Sequence, residues 1–338
     1  MYIDRAAQAP PHVINAPGFA AGRKNARQHP LNFSGNGESG ESGESGESGE
    51  SGESGESGES GERNGNMAYQ LKCKAPLAET LRDTAREEIA GALHDLARLP
   101  QEEAVHELRK HCKKMRALLR LVRADIGDLY RYENAHYRTL ANSVAGSRDA
   151  VSVRDALLAL APPQRYPQIQ ALLEQRARGH ADADALDEAK TLLQQGGERI
   201  GDWPLETLKC RHARRGYRRG YKRAETAMDD AFAEESAASF HEFRKRVKDH
   251  WYHSRLLQKK YPDAIGVRCK PLKKLAQALG DWRDLRLLCS LLGQHAGQFS
   301  GELIPLLDDA EQRLQQLHRQ IEKLSGRLFS AKVFDLPD

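Results

Sequence analysis

From Met67 onward apolar residues recur at spacings of three and four, with almost no alternating β-branched runs, which is the period of amphipathic helices and not of strands. An all-α domain is expected. The pattern predicts a first helix from Leu77 to Arg98, closed by Leu99-Pro100, and a second from about Glu102 to Ile126, stopped at Gly127. Further helices are expected at about 128–144, 147–160, 167–178 and 182–195. Asp202-Trp203-Pro204 reads as the N-cap and opening turn of a helix reaching about Met228. Another runs from about Ala237 to Lys260, where Tyr261-Pro262 ends it, and a long last helix covers about 302–328.

Within this pattern one stretch occurs twice. His106 to Arg123 reads HELRKHCKKMRALLRLVR, and a variation, HEFRKRVKDHWYHSRLL, begins at His241. On a helix, His106, Arg109, Lys110, Lys113 and Arg120 fall in one stripe, opposite Val105, Leu108, Cys112, Met115, Leu119 and Val122. His241, Arg244, Lys245, Lys248 and Arg255 repeat its offsets, with Phe240, Phe243, Val247 and Leu257 on the apolar side. The echo holds at a constant offset of 135: Arg138-Thr139-Leu140-Ala141 stands against Lys273-Lys274-Leu275-Ala276, and Arg148-Asp149 against Arg283-Asp284. This indicates an internal duplication, with halves at about 70–200 and 201–330 related by a pseudo-two-fold axis.

Charge changes the meaning of the stripe. A solvated helix face interleaves acids with bases, yet from His106 to Arg123 Glu107 is the single acid among seven Lys and Arg. Like charges one turn apart repel by about 0.2–0.5 kcal/mol per pair, so the row calls for an anionic partner. A third run repeats the design: Arg211, Arg214, Arg215, Arg218 and Lys222 share one face, and no acid intervenes from Lys209 to Arg223. Tyr217 and Tyr221 lie off that face and read as packing residues. Residues 1–66, with eight tandem Glu-Ser-Gly triplets, hold ten acids against five Lys and Arg, so the chain's formal +4 becomes +9 over the rest. That segment reads as a flexible acidic linker without a core. Five cysteines without a C-x-x-C pair indicate neither a disulfide framework nor a zinc ribbon, and the reducing cytosol is the expected compartment. No apolar run approaches the length of a membrane span, and the N-terminus lacks the order of a secretory signal.

Candidate chemistry is sparse. His106-Glu107 resembles the opening of a zincin motif, but Lys110 stands where the second histidine belongs, and Lys245 does the same after His241. His250 and His253 read as satisfied interior histidines, and Asp149 and Asp284 as salt-bridge or cap residues beside their arginines. Without a Gly-rich phosphate loop, nucleophile elbow or isolated carboxylate pair, no catalytic residue, metal site or cofactor is expected.

The repeated His-Glu-x-Arg-Lys-x-x-Lys helix, the Arg-Asp after Gly146-Ser147 and after Gly280-Asp281-Trp282, and the Arg-x-x-Tyr-x-x-Gly-Tyr helix before the second copy resemble the CHAD family, the conserved histidine α-helical domain, over about residues 70–330. The resemblance implies two pseudo-symmetric four-helix bundles whose basic helices line a central groove or pore, non-enzymatic binding of inorganic polyphosphate, and association with polyphosphate granules. His106, Arg109, Lys110, Lys113, Arg116 and Arg120 would line one side, and His241, Arg244, Lys245, Lys248 and Arg255 the other. Arg211, Arg214, Arg215, Arg218 and Lys222, with Arg148 and Arg283, would complete the channel. Asp249 stands where the first copy has Lys114, and Trp251 where it has Arg116, which makes the second wall less cationic. The triphosphate-tunnel motif that many relatives carry is missing. At about 1.5 Å per residue the stripe from 106 to 120 is roughly 21 Å long, a ladder for a linear polyanion. Histidine protonation would tighten binding near pH 6 relative to pH 8. The alternative is a nucleic-acid-binding basic module, against which stands the lack of aromatic residues interleaved along the cationic faces.

Overall fold

The computed structural model describes residues 69–330 other than 73, 145–147, 163, 178–182, 296 and 298, together with Leu336. The acidic linker expected over residues 1–66 lies outside the described residues. The elements are α1 (Leu77–Arg98), α2 (Gln101–Leu121), α3 (Arg123–Ser143), α4 (Arg148–Leu160), α5 (Pro167–Ala177), α6 (Ala183–Arg199), α7 (Cys210–Glu234), α8 (Ala237–Leu257), α9 (Val267–Gly293) and α10 (Ser300–Leu328). Among the described residues there is no strand, and no helix is long and apolar enough to cross a membrane.

Proline and glycine set most boundaries, though not always as the sequence suggests. Leu99 is extended (φ −90°, ψ 152°), as the residue before proline prefers, and Pro100 leads into α2 with Glu102 and Glu103 in its first turn. The single helix expected to reach Ile126 is two: the chain breaks at Val122 (φ −114°, ψ 12°) and α3 begins at once. Gly127 kinks α3 instead of ending α2, because its φ of 38° interrupts the ladder and helical geometry then resumes. Nor does Asp202-Trp203-Pro204 open a helix. Ile200–Asp202 forms a short 3-10 turn, and Trp203, Leu205 and Leu208 are buried as an apolar loop. α7 starts at Cys210, where the Lys209 backbone N–H donates to His212 Nδ1 at 2.8 Å, and it runs to Glu234, beyond the expected end. Its partner across the next turn, α8, is capped by Ser236, whose Oγ accepts from the Ser239 backbone N–H at 3.0 Å. It stops at Leu257, and a π turn, Pro262–Gly266, leads into α9.

α1, α2, α3 and α6 pack on one another, as do α7, α8, α9 and α10 in sequence, while the α4–α5 hairpin lies against α9. Polar contacts anchor that hairpin to α10. The backbone N–H groups of Gln168 and Ile169 at the start of α5 donate to the Glu302 carboxylate at 3.1 Å each, and the Tyr166 hydroxyl donates to Asp309 at 2.7 Å. A carboxylate at a helix N-terminus satisfies orphan donors and faces the positive end of the dipole.

α2 is central, because it touches α1, α3, α7 and α8. Its contact with α7 is unusually close. A Cβ built on Gly216 would stand 1.6 Å from the Leu121 carbonyl oxygen, and one on Gly220 would stand 3.0 Å from His253 Nδ1. Gly216 thus lets α7 meet the α2 backbone directly, and Gly220, one turn on, makes room for the His253 side chain of α8. The 135-residue echo maps α2 onto α8. Beyond that the elements divide differently: Arg148 opens α4, whereas Arg283 lies inside the continuous α9.

Candidate anion-binding face

The sequence divides α2 and α8 into an apolar side and a cationic side. The structure corrects this, since both helices are central and are covered on most of their circumference. Arg109, Lys114 and Arg116 are buried in α2, and Arg244 and Lys248 in α8. Burial forces each cation to find a partner inside the fold. Arg109 donates to the Ala141 carbonyl at 2.6 Å, and Arg116 Nε donates to Asn134 Oδ1 at 3.0 Å, both on α3. Lys114 reaches Glu88 of α1 at 3.1 Å. Arg109 and Arg116 thus tie α2 to α3 through neutral acceptors.

The second stretch solves the same problem with aromatic rings. Trp251 is buried where the first stretch has Arg116, and it carries the Lys248 ammonium at 5.7 Å and the Arg255 guanidinium at 5.4 Å from its ring centre. Tyr252 and Tyr69 complete the stack, with Lys248 and Arg255 respectively at 5.7 Å. Asp249, standing where the first stretch has Lys114, pairs with Arg120 of α2, so the replacement of a cation by an acid joins the two helices.

His106, Lys110, Lys113 and Arg120 on the first stripe, and His241, Lys245 and Arg255 on the second, are half-buried. Lys110 pairs with Glu107 and Lys245 with Glu242, each at 3.0 Å one turn back. Arg283 is half-buried and reaches Asp284 at 3.1 Å. The side chain of Arg148 lies outside the described residues. Half-burial, then Arg283, Arg244 and Lys245, hold the His241 imidazole below its ordinary pKa. The expected gain of charge near pH 6 is therefore not available from His241, which protonates at lower pH.

The third stripe differs. On α7, Arg211, Arg215, Arg218 and Lys222 are exposed and Arg214 is half-buried, while Arg215 pairs with Asp125 of α3. Tyr217 and Tyr221 are buried on the other side, against His250 at 4.6 and 5.7 Å between ring centres. They pack, as their positions suggested. This exposed run from 211 to 222 extends about 16 Å along the helix.

One group of cations escaped the sequence reading. Arg120, Arg123, Arg219, Arg223 and Arg246 line a crevice between α2, the start of α3, α7 and α8. Of these only Arg120 belongs to the expected ladder. Gly216 and Gly220 were the available signal: two glycines one turn apart mark the face of α7 that packs closest, and Arg219 and Arg223 repeat that spacing beside them.

His250 is 0% exposed, and both its ring nitrogens are buried without a hydrogen-bond partner. The expectation that it is interior is correct, and the expectation that it is satisfied is not. His253 donates from Nε2 to the Ala117 carbonyl at 3.0 Å. Burial drives the pKa of His250 well below its ordinary value and that of His253 to about 3, so both are neutral. Among the described residues no three His, Cys, Asp or Glu side chains gather as a metal-binding group.

The CHAD domain model matches residues 76–293. The crystal structure of the CHAD domain from the plant Ricinus communis superposes with a TM-score of 0.57 at 20% identity, covering 80% of this chain and 98% of that one. No curated protein matches.

Proposed function

Because the chain belongs to the CHAD domain family, we propose that it binds inorganic polyphosphate without chemical turnover, on the cations of α2, α7 and α8, and that it associates with polyphosphate granules. The observation that carries this reading is the exposed run of Arg211, Arg215, Arg218 and Lys222 on α7. Exposed like charges in a row repel, and a linear polyanion relieves that repulsion along its whole length. Arginine supplies paired N–H donors to phosphate oxygens, and lysine a point charge.

The half-buried ladders of α2 and α8 add a fixed positive field. Their cations are held by carbonyls, rings and neighbouring helices, so little side-chain entropy is lost when an anion arrives. A stacking mode for nucleic acid lacks its platforms on this face. Among the described residues the exposed large apolar ones are Tyr132, Leu158, Val267 and Ile304, and none belongs to α7.

The test is a titration of the full chain with long-chain polyphosphate at two salt concentrations, competed by single- and double-stranded nucleic acid of equal phosphate content. Selective binding that is lost on joint replacement of Arg211, Arg215, Arg218 and Lys222 by Gln supports the reading. Equal competition by nucleic acid leaves only a general basic surface, and phosphate release on adding Mg²⁺ or Mn²⁺ overturns the absence of turnover.

A further inference from the structure

Ahead of α1, Tyr69, Leu71 and Lys72 form a strap against three helices. The Tyr69 hydroxyl donates to the Lys114 carbonyl of α2 at 2.7 Å, and the Leu71 backbone N–H donates to the Leu256 carbonyl of α8 at 2.9 Å. The Lys72 backbone N–H donates to Thr80 Oγ1 of α1 at 2.8 Å, and its ammonium pairs with Asp83 at 2.6 Å. Tyr69 and Leu71 are buried, so the strap belongs to the core although it precedes the matched family region, residues 76–293. The Tyr69 ring meets Tyr252 edge-on, with 6.1 Å between ring centres. It also carries a cation from each of the two repeated helices: Lys114 Nζ lies 5.8 Å and Arg255 Cζ 5.7 Å from its centre.

The offset of 135 explains why a ring belongs there. Arg120 of α2 pairs with Asp249 of α8. At that offset Arg120 corresponds to Arg255 and Asp249 to Lys114, so the exchange of partners that would repeat the pair meets a second cation instead of an acid. Position 114 offers Arg255 no carboxylate. An aromatic face attracts both cations and adds no charge of its own. Arg255 also lies 5.4 Å from the centre of Trp251, and a guanidinium held on rings has less rotamer freedom left to lose when an anion arrives. We infer that Tyr69 is a positioning residue, whose ring fixes the Arg255 guanidinium on the cationic row of α8 from a segment outside both repeated helices. The consequence for anion affinity rests on the polyphosphate reading above; the hold of the ring on Arg255 does not.

The test uses the full chain and its variants Y69F, Y69L, R255Q and Y69L/R255Q. In side-chain nitrogen–proton NMR spectra, the Arg255 Nε–H signal is identified by its loss in R255Q. It is expected to stay close to its original position in Y69F, which keeps the ring, and to move in Y69L, which does not. With long-chain polyphosphate, Y69F is expected to bind within about twofold of the unaltered chain and Y69L about fivefold more weakly, while the double variant binds no more weakly than R255Q. A side chain that only packs would lower the melting temperature without this coupling to Arg255. Thermal melts identify a Y69L that fails to fold, and Y69M then takes its place. An Arg255 signal indifferent to loss of the ring, or losses of affinity that multiply in the double variant, overturns the inference. If the unaltered chain binds no polyphosphate, the polyphosphate reading falls and the Arg255 signal decides alone. If R255Q binds polyphosphate as the unaltered chain does, Arg255 leaves the anion-binding row and the same signal decides.

Discussion

Single residues in this protein carry unusual costs. His250 sits among Tyr217, Tyr221 and Phe329 with no hydrogen bond to either ring nitrogen, and a buried polar group left unpaired costs about 1–3 kcal/mol. Its folded pKa lies well below the ordinary value of 6.5. The unfolded chain therefore takes up a proton that the fold refuses. This costs nothing above about pH 6.5 and destabilises the fold progressively as pH falls below it. His253, with a folded pKa of about 3, adds in the same direction. His250→Phe is expected to raise the melting temperature, and by more at pH 5.5 than at pH 8, as melts at both pH values would show; equal gains would mean that the imidazole is not held neutral. Gly216 is the opposite case, since what matters there is an absence. A methyl group would overlap the Leu121 carbonyl, so Gly216→Ala is expected to cost about 3 kcal/mol in urea unfolding, although alanine is the better helix former.

Between elements, charge has two separable roles. Where α1 meets α2, His111 lies 2.6 Å from Glu88 and 3.2 Å from Asp95, and Lys114 reaches Glu88. Burial pulls the His111 pKa down, but Asp95 and Glu88 outweigh it and the net shift is upward. For Glu88 burial pushes upward, and His111 and Lys114 reverse the sign. The His111 contribution is complete below about pH 6.5 and is lost as pH rises through its elevated pKa. That of Glu88 is complete above about pH 4.5 and is lost as pH falls through its depressed one. His111→Gln should therefore destabilise by about 3 kcal/mol near pH 6 and by less near pH 9, read from chemical unfolding at each pH. On α7, Arg211, Arg215, Arg218 and Lys222 are exposed and contribute little to the fold. Joint Arg211→Gln, Arg215→Gln, Arg218→Gln and Lys222→Gln is expected to move the melting temperature by no more than about 2 °C while lowering polyphosphate affinity and its salt slope. Arg109→Ala or Arg244→Ala should do the reverse, with loss of stability dominating, because these side chains are packed inside the helix contacts.

At the scale of the molecule, the excess positive charge after residue 66 predicts steep salt dependence. With about six phosphate contacts, polyphosphate affinity should fall by about a thousandfold between 50 and 200 mM salt, and a flat response would show that the interaction is not electrostatic. Sequence periodicity alone was enough to locate the helices other than α9, because a three-to-four spacing of apolar residues has one geometric solution, and Leu77–Arg98 matched to the residue. Composition alone was also enough to establish that the basic charge lies after residue 66, and the repeated stretches pointed to the family. Which cations face outward was beyond its reach. A helical wheel allots one buried side to each helix, but α2 packs against α1, α3, α7 and α8 at once, and so Arg109, Arg116, Arg244 and Lys248 went inside. For the same reason Trp251 reads as a lost cation in the chain and is, in the fold, the platform for two cations. The arginine crevice is a product of tertiary structure alone: its members come from four helices, which meet where Gly216 lets α7 approach α2 and where α8 packs on both. Local periodicity decides where a helix forms; the number of neighbours it acquires decides what each of its faces can do.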